Sequence, residues 1–266
     1  MMLIFLKLGG SLITDKDRPK TARVDIINRL CGEIAAAKKE KPHLNIILGH
    51  GSGSFGHASA RKYGTHGGVR SREEWLGFAE VWRDARELNQ IVMSSLDEAN
   101  LPAISFPPSA MVTTDHRKII TWDTQNIQSA LQAGLLPVIM GDVIFDHGQG
   151  GTILSTEELF HYLALVIHPD RILYTGKDEG VWEDFPQSQK LISKITPQTF
   201  PQIQAAIQAS ASVDVTGGML LKVQSMLHLV QQIPNLKVQI FSGLEAGNVH
   251  KALTGEELGT IISSGF

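Results

Sequence analysis

Two rhythms of apolar residues alternate along the 266-residue chain. Short, nearly unbroken apolar runs at Leu3–Leu8, Asn45–Leu48, Pro102–Phe106, Leu136–Met140, Arg171–Tyr174 and Lys237–Phe241 predict strands buried on both faces. Most are separated by stretches in which apolar positions recur three or four residues apart. Val24, Ile27, Leu30 and Ile34 form one such stripe, with Arg23, Lys38 and Lys39 outside it, and predict a covering helix. A second, long helix is expected from about Arg72 to Ala99, where no proline or turn cluster intervenes. This alternation predicts an α/β three-layer αβα sandwich around a mostly parallel central sheet. From Met140 to Leu154 two short strands around a glycine-rich turn read as an antiparallel addition to that sheet, edging a substrate pocket. With no repeat, low-complexity tract or long linker, residues 1–266 are expected to form one domain. A break near Val166–Pro169 separates an N-terminal lobe of about 1–166 from a C-terminal lobe of about 167–266.

Composition narrows the class. At 42% hydrophobic residues the chain can bury a sizeable core, and a net charge of -3 with both signs interspersed argues against nucleic-acid and anionic-membrane partners. Cys31 is the single cysteine, which excludes a disulfide framework or a cysteine-based zinc site and fits a reducing compartment. The opening run, apolar except for Lys7, is far shorter than a membrane span and passes into Gly9–Gly10 without a cleavage-like region. It reads as a buried first strand of a cytoplasmic protein.

Three segments have the makings of an anion site. Lys7-Leu8-Gly9-Gly10-Ser11 ends a strand in a glycine pair whose amides can approach a ligand closely. Gly49-His50-Gly51-Ser52-Gly53-Ser54-Phe55-Gly56-His57 follows a strand and enters a helix, where N-terminal amides attract phosphate. Asp214-Val215-Thr216-Gly217-Gly218-Met219-Leu220-Leu221-Lys222 again sets glycines before a helix and Lys222 on its first turns. Singly, the first and third read better as an ordinary turn or junction with a solvated lysine, the second equally as a plain glycine-rich connection, and Lys16 in Thr14-Asp15-Lys16-Asp17 as a loop charge. Gly51, Gly53 and Gly56 match GxGxxG, but no second strand ending in an acid follows about twenty residues on, which removes a dinucleotide fold. A P-loop, the protein-kinase motifs and a GxSxG elbow are also missing. Taken together, the glycine junctions and lysines, without a metal-ligand cluster, suit a site that holds a polyphosphate.

In this order the motifs resemble the amino acid kinase superfamily, and within it the isopentenyl phosphate kinases. Lys7 to Ser11 with Ile13-Thr14-Asp15-Lys16 is similar to that branch's opening, and His50 to His57 to its HGGGSFGH. Gly141-Asp142-Val143 and Asp214 to Met219 are similar to its later motifs. The resemblance implies an amino acid kinase-like fold, a homodimer, and phosphoryl transfer from ATP, with Mg²⁺ on its phosphates, to a small-molecule isoprenoid phosphate. It implies that Lys7, Lys16, His57 and Lys222 are catalytic and that Ser52, Gly53, His57 and Gly141 form the acceptor subsite. Gly9, Gly10, Ser11, Gly53, Thr175, Asp178, Gly217, Gly218 and Lys222 would hold the nucleotide, and no protein side chains are expected to ligate metal. Three departures stand out: Ser52 breaks the glycine run, Ser155-Thr156-Glu157 stands for Ser-Gly-Asp, and Thr175-Gly176-Lys177-Asp178-Glu179-Gly180 is one residue longer than Thr-Asp-x-Asp-Gly. Glu157 is then the longer substitute for the branch's organising carboxylate. Phe78, Val81, Trp82, Ile139, Met140 and Ile144 could form an apolar tail pocket, although for most of them core is the better reading. Kinases of a phosphonate such as fosfomycin or of an amino-acid carboxylate, and a non-catalytic nucleotide-binding regulator, are the competing readings.

Overall fold

A computed structural model describes residues 2–184, 187–204 and 217–265. Its centre is an eight-stranded sheet in the order β12-β14-β13-β9-β1-β2-β6-β3. The inner strands are β1 (Met2–Leu8), β2 (Leu44–His50), β6 (Leu136–Met140), β9 (Arg171–Gly176) and β13 (Lys237–Ser242), with β3 (Ala103–Ser105) at one edge and β12 (Lys194–Ile195) at the other. Neighbours are parallel except β13 and β14 (Thr260–Ile262), which run antiparallel. All six strands expected from the sequence are present.

Strand alternation divides the core in two. Ile4, Leu6 and Leu8 of β1 face one side, where they join Ile27, Leu30 and Ile34 of α2 (Val24–Glu40) and Leu88, Val92 and Leu96 of α4 (Arg72–Glu98). Phe5 faces the other, packing with Phe160 and Leu163 of α6 (Thr156–Ile167) and Val223 and Val230 of α7 (Gly217–Gln232). Lys7 is two residues on from Phe5 and therefore points to this second side. Helices cover both faces, as the αβα expectation requires. One stripe residue departs: Val24, the first residue of α2, is 48% exposed, because the stripe meets the sheet only from Ile27 onward.

The hairpin after Met140 is a correction. β7 (Asp142–Asp146) and β8 (Gly150–Leu154) pair antiparallel as expected, but they join β4 (Val112–Asp115) and β5 (Lys118–Trp122) in a separate four-stranded sheet, β5-β4-β7-β8. Asp146 organises this sheet's turns by accepting hydrogen bonds from Thr114 Oγ1 and the amides of His116, Arg117, Gly148 and Gln149. Among the described residues no helix is long and apolar enough to cross a membrane.

The parallel strands β1, β2, β6 and β9 all end at one edge of the sheet, and the loops leaving them meet there. Ligands of open α/β sheets bind at this edge, where the crossovers diverge to opposite faces.

Phe5 and Phe160 pack with their ring centroids 5.1 Å apart and their planes tilted by 52°, without exposure to solvent, and they join the sheet to α6. Phe5→Ala should therefore cost about 3–5 kcal/mol of stability, read as a lowered urea midpoint. A change under about 1 kcal/mol would contradict this core assignment.

Candidate active site

A cleft of about 1030 Å³ opens at that edge and gathers most of the residues singled out from the sequence. Lys7, Gly9, Gly10 and Ser11 enter it from the end of β1, and Ser52, Gly53 and His57 from the start of α3 (Gly53–Tyr63). Gly141 contributes from the end of β6, Thr175 and Asp178 from β9 and the turn after it, Lys16 from the loop before α2, and Lys222 from α7. Gly217 and Gly218 open α7 just outside the described lining, which that helix joins from Met219 onward. Asp214, Val215 and Thr216 lie outside the described residues.

The two glycine turns pack backbone against backbone. A methyl group at Gly10 would lie 2.6 Å from the Gly53 nitrogen, and one at Gly9 would lie 2.8 Å from the Thr175 oxygen. Gly53 has φ +50, a region that favours glycine, and a side chain there would collide with the Thr14 hydroxyl. That hydroxyl holds the two turns together, donating to Gly10 O at 2.6 Å and accepting from the Ser54 amide at 3.0 Å.

Lys7 is 8% exposed and pairs with Glu157, whose same Oε1 atom lies 3.3 Å from Lys222 Nζ. Burial pulls the Lys7 ammonium below its ordinary value, against the raising effect of Glu157. For Glu157 burial alone would raise the carboxyl, but Lys7 and Lys222 outweigh it and hold it at about 2. Glu157 occupies this place because α6 begins with a capping box. Ser155 Oγ accepts from the Glu158 amide at 3.2 Å, while Glu158 accepts from the Ser155 amide at 2.7 Å. Between them, Thr156 donates its hydroxyl to His50 O at 2.7 Å and fixes α6 to the end of β2.

The two histidines of the glycine loop differ. His50 is fully buried, with Nε2 3.1 Å from Asn89 Oδ1, and burial lowers its pKa. His57 is exposed to the cleft, where partial desolvation and then the charges of Lys16, Arg61 and Lys7 lower its pKa, so its ring is neutral at pH 7 and keeps one N–H to donate.

Sequence reasoning left other lining residues out of the site. Arg117, at the β4–β5 turn, donates to Thr152 Oγ1 and Ile153 O at 2.9 Å each and pairs with Glu158 at 2.6 Å, tying the small sheet to α6. Asp142, which burial pushes up to about 6 against hydrogen bonds from Ser109 and Val143, also lines the cleft. Glu157, read from the sequence as a longer substitute for the organising carboxylate, lies between Ser155 and Glu158 of that capping box and lines the cleft. Arg117 had no signal in the sequence. For most of the six tail-pocket candidates the favoured core reading holds: Phe78, Ile139, Met140 and Ile144 are buried in the core, and only Val81 lines the cleft. Trp82 stacks on Arg86 and donates to Ser109 Oγ at 3.2 Å instead. The apolar cleft wall is made by Ala60, Val81, Ala85, Ile119, Ile153 and Leu154.

The depressed Glu157 value carries a sign that can be tested. A carboxyl held at about 2 rather than 4.5 stabilises the fold above pH 4.5, and the contribution is lost as pH falls from 4.5 toward 2. Its ceiling is about 3 kcal/mol. Urea midpoints of the wild type should fall more steeply over that window than those of Glu157→Gln, and parallel slopes would contradict the shared ion pair.

Comparison with known proteins agrees with this geometry. The model of the amino acid kinase family matches residues 2–242. The isopentenyl phosphate kinase of Methanocaldococcus jannaschii is 34% identical over 270 residues, covering 98% of each chain. That of Methanothermobacter thermautotrophicus is 30% identical over 263 residues, covering 96% of this chain and 97% of its own. The structure described as "X-ray structures of isopentenyl phosphate kinase" superposes with a TM-score of 0.82 at 28% identity, over 98% of this chain and all of that one. With the fold, the cleft and these likenesses in agreement, the chain belongs to the amino acid kinase family, in its isopentenyl phosphate kinase branch.

Proposed function

We propose that the chain phosphorylates isopentenyl phosphate with ATP, giving isopentenyl diphosphate and ADP by direct in-line transfer. The observation that carries this reading is the Lys7–Glu157–Lys222 bridge in a cleft also lined by Lys16 and His57. A phosphate monoester has its second pKa near about 6, so at neutral pH the acceptor is already largely an anion and needs no strong general base. The protein's work is then to position two anions and to stabilise charge on the equatorial oxygens of the transferring group.

ATP supplies the γ-phosphoryl group and enters with Mg²⁺ on its phosphates. The amides at Gly10 and Gly53, at the starts of two helices, offer donors to the phosphates, and Thr175 and Asp178 stand where the nucleotide end begins. Lys7 and Lys222 supply positive field at the γ-phosphate, with Glu157 as the positioning residue that bridges the two ammonium groups. Lys16 is assigned to the transferring phosphoryl, and the His57 N–H to a hydrogen bond with the acceptor phosphate, beside Ser52 and Gly141. Within one domain, the lobe of about 1–166 would hold the acceptor and that of about 167–266 the nucleotide. A homodimer in the cytoplasm follows from the kinship.

Phosphonate and carboxylate acceptors, and a regulator without turnover, are not favoured. Coupled ADP release measured with isopentenyl phosphate, dimethylallyl phosphate, fosfomycin and glutamate in parallel should be fastest with an isoprenoid phosphate. His57→Ala should lower that turnover by about 10²–10³ with an unchanged melting temperature, since it removes one charge-stabilising donor. Normal turnover in a folded His57→Ala protein would remove the role.

A further inference from the structure

The loop that carries Lys16 is fastened by a pair of side chains to which the proposed chemistry gives no part. This loop leaves and rejoins the fold at the isolated bridge between Thr14 and Ala22. Its own turns are local: Asp15 Oδ1 accepts from the Asp17 amide at 3.0 Å, and the Asp15 amide donates to Thr21 O at 2.9 Å. The return arm touches α3 through backbone donors, Lys20 to Ser54 O at 3.3 Å and Thr21 to Ser54 Oγ at 3.4 Å. Its link to α4 is the ion pair of Lys20 Nζ with Asp84 Oδ1 at 2.6 Å.

Two features mark this pair as more than a surface contact. The Asp84 side chain is 4% exposed, and its second oxygen, Oδ2, is buried without a hydrogen-bond partner. A buried carboxylate with so few partners holds a cation strongly, because separating them leaves the charge uncompensated. Lys20 itself has φ +51, a region that residues other than glycine seldom occupy, so the surroundings hold its backbone against preference. Asp84 also sits between Val81 and Ala85 on α4, both of which line the cleft. The pair therefore joins the loop bearing Lys16 directly to the helix that walls the acceptor end.

We propose that Lys20 and Asp84 form a positioning clasp that sets the Lys16 loop across the acceptor end of the cleft. The proposal rests on the assignment of Lys16 to the transferring phosphoryl. Neither clasp residue touches substrate. Their effect is to hold Lys16 in one place, and misplacing a catalytic group by about 1 Å can cost about 10²-fold in rate.

Single-turnover rates with Mg·ATP and isopentenyl phosphate, together with melting temperatures, test this on Lys20→Met, Lys20→Arg, Asp84→Asn, Lys16→Met and the Lys16→Met/Lys20→Met double variant. Lys20→Met should fall about 10- to 100-fold with the KM for ATP within about twofold, and Lys20→Arg should recover most of the rate. Adding Lys20→Met to Lys16→Met should produce no further loss, because the clasp acts only through Lys16. Wild-type rates in Lys20→Met, or an equal loss with and without Lys16, would overturn the clasp. Wild-type rates in Lys16→Met would instead overturn the assignment of Lys16 on which the clasp rests. Asp84→Asn tests the same pair from the other side, with a rate loss expected to match that of Lys20→Met, and wild-type rates in a folded Asp84→Asn protein would also overturn it.

Discussion

Strand alternation forces the ammonium of Lys7 into the protein. Phe5 and Lys7 share a face of β1, and Phe5 is committed to the core against α6, so Lys7 follows it inward. Taking a cation out of water is expensive unless a counter-charge is supplied in good geometry. Glu157 supplies it from the first turn of α6, and the same oxygen reaches Lys222 on α7. One carboxylate thus ties a strand and two helices and leaves a net positive charge at the mouth of the sheet. This excess suits a polyphosphate.

The rest of the site is arranged around that charge by close backbone packing. Glycines at positions 9, 10 and 53 let the turns after β1, β2 and β9 touch, which concentrates main-chain donors where side chains would otherwise stand. Thr14 locks two of these turns together, and Thr156 locks α6 to the end of β2. Separate tethers on either side hold the small sheet through Arg117 and the Lys16 loop through Lys20. The glycine turns are thus held by backbone packing, whereas the small sheet and the Lys16 loop are held by side-chain ion pairs.

Six of the eight strands of the central sheet were legible, the inner ones because they are buried on both faces and read as continuous apolar runs, whereas β12 and β14 are only two and three residues long. The small sheet was only half legible: β7 and β8 flank a recognisable turn, but Thr113, Thr114, His116 and Arg117 make β4 and β5 look like loop. Its separation from the main sheet is a tertiary fact with no local signal. Lysines and glycines of the site could be named because anion binding demands those residue types after strands. The tail pocket could not, since an apolar residue on α4 has the same periodicity whether it meets the core, as Phe78 does, or the cleft, as Val81 does. The small side chains that shape the cleft, Ala60 and Ala85, carry no distinguishing pattern at all.

The central claim is that the ammonium groups of Lys7 and Lys222 converge on one transferring phosphoryl group. A crystal structure with ADP, a metal-fluoride mimic of that group and isopentenyl phosphate measures it directly. Both Nζ atoms are expected within hydrogen-bond reach of the mimic, about 3 Å, with Glu157 still bridging behind them. A mimic bound elsewhere in the cleft, with Lys7 left facing Glu157 alone, would contradict the account.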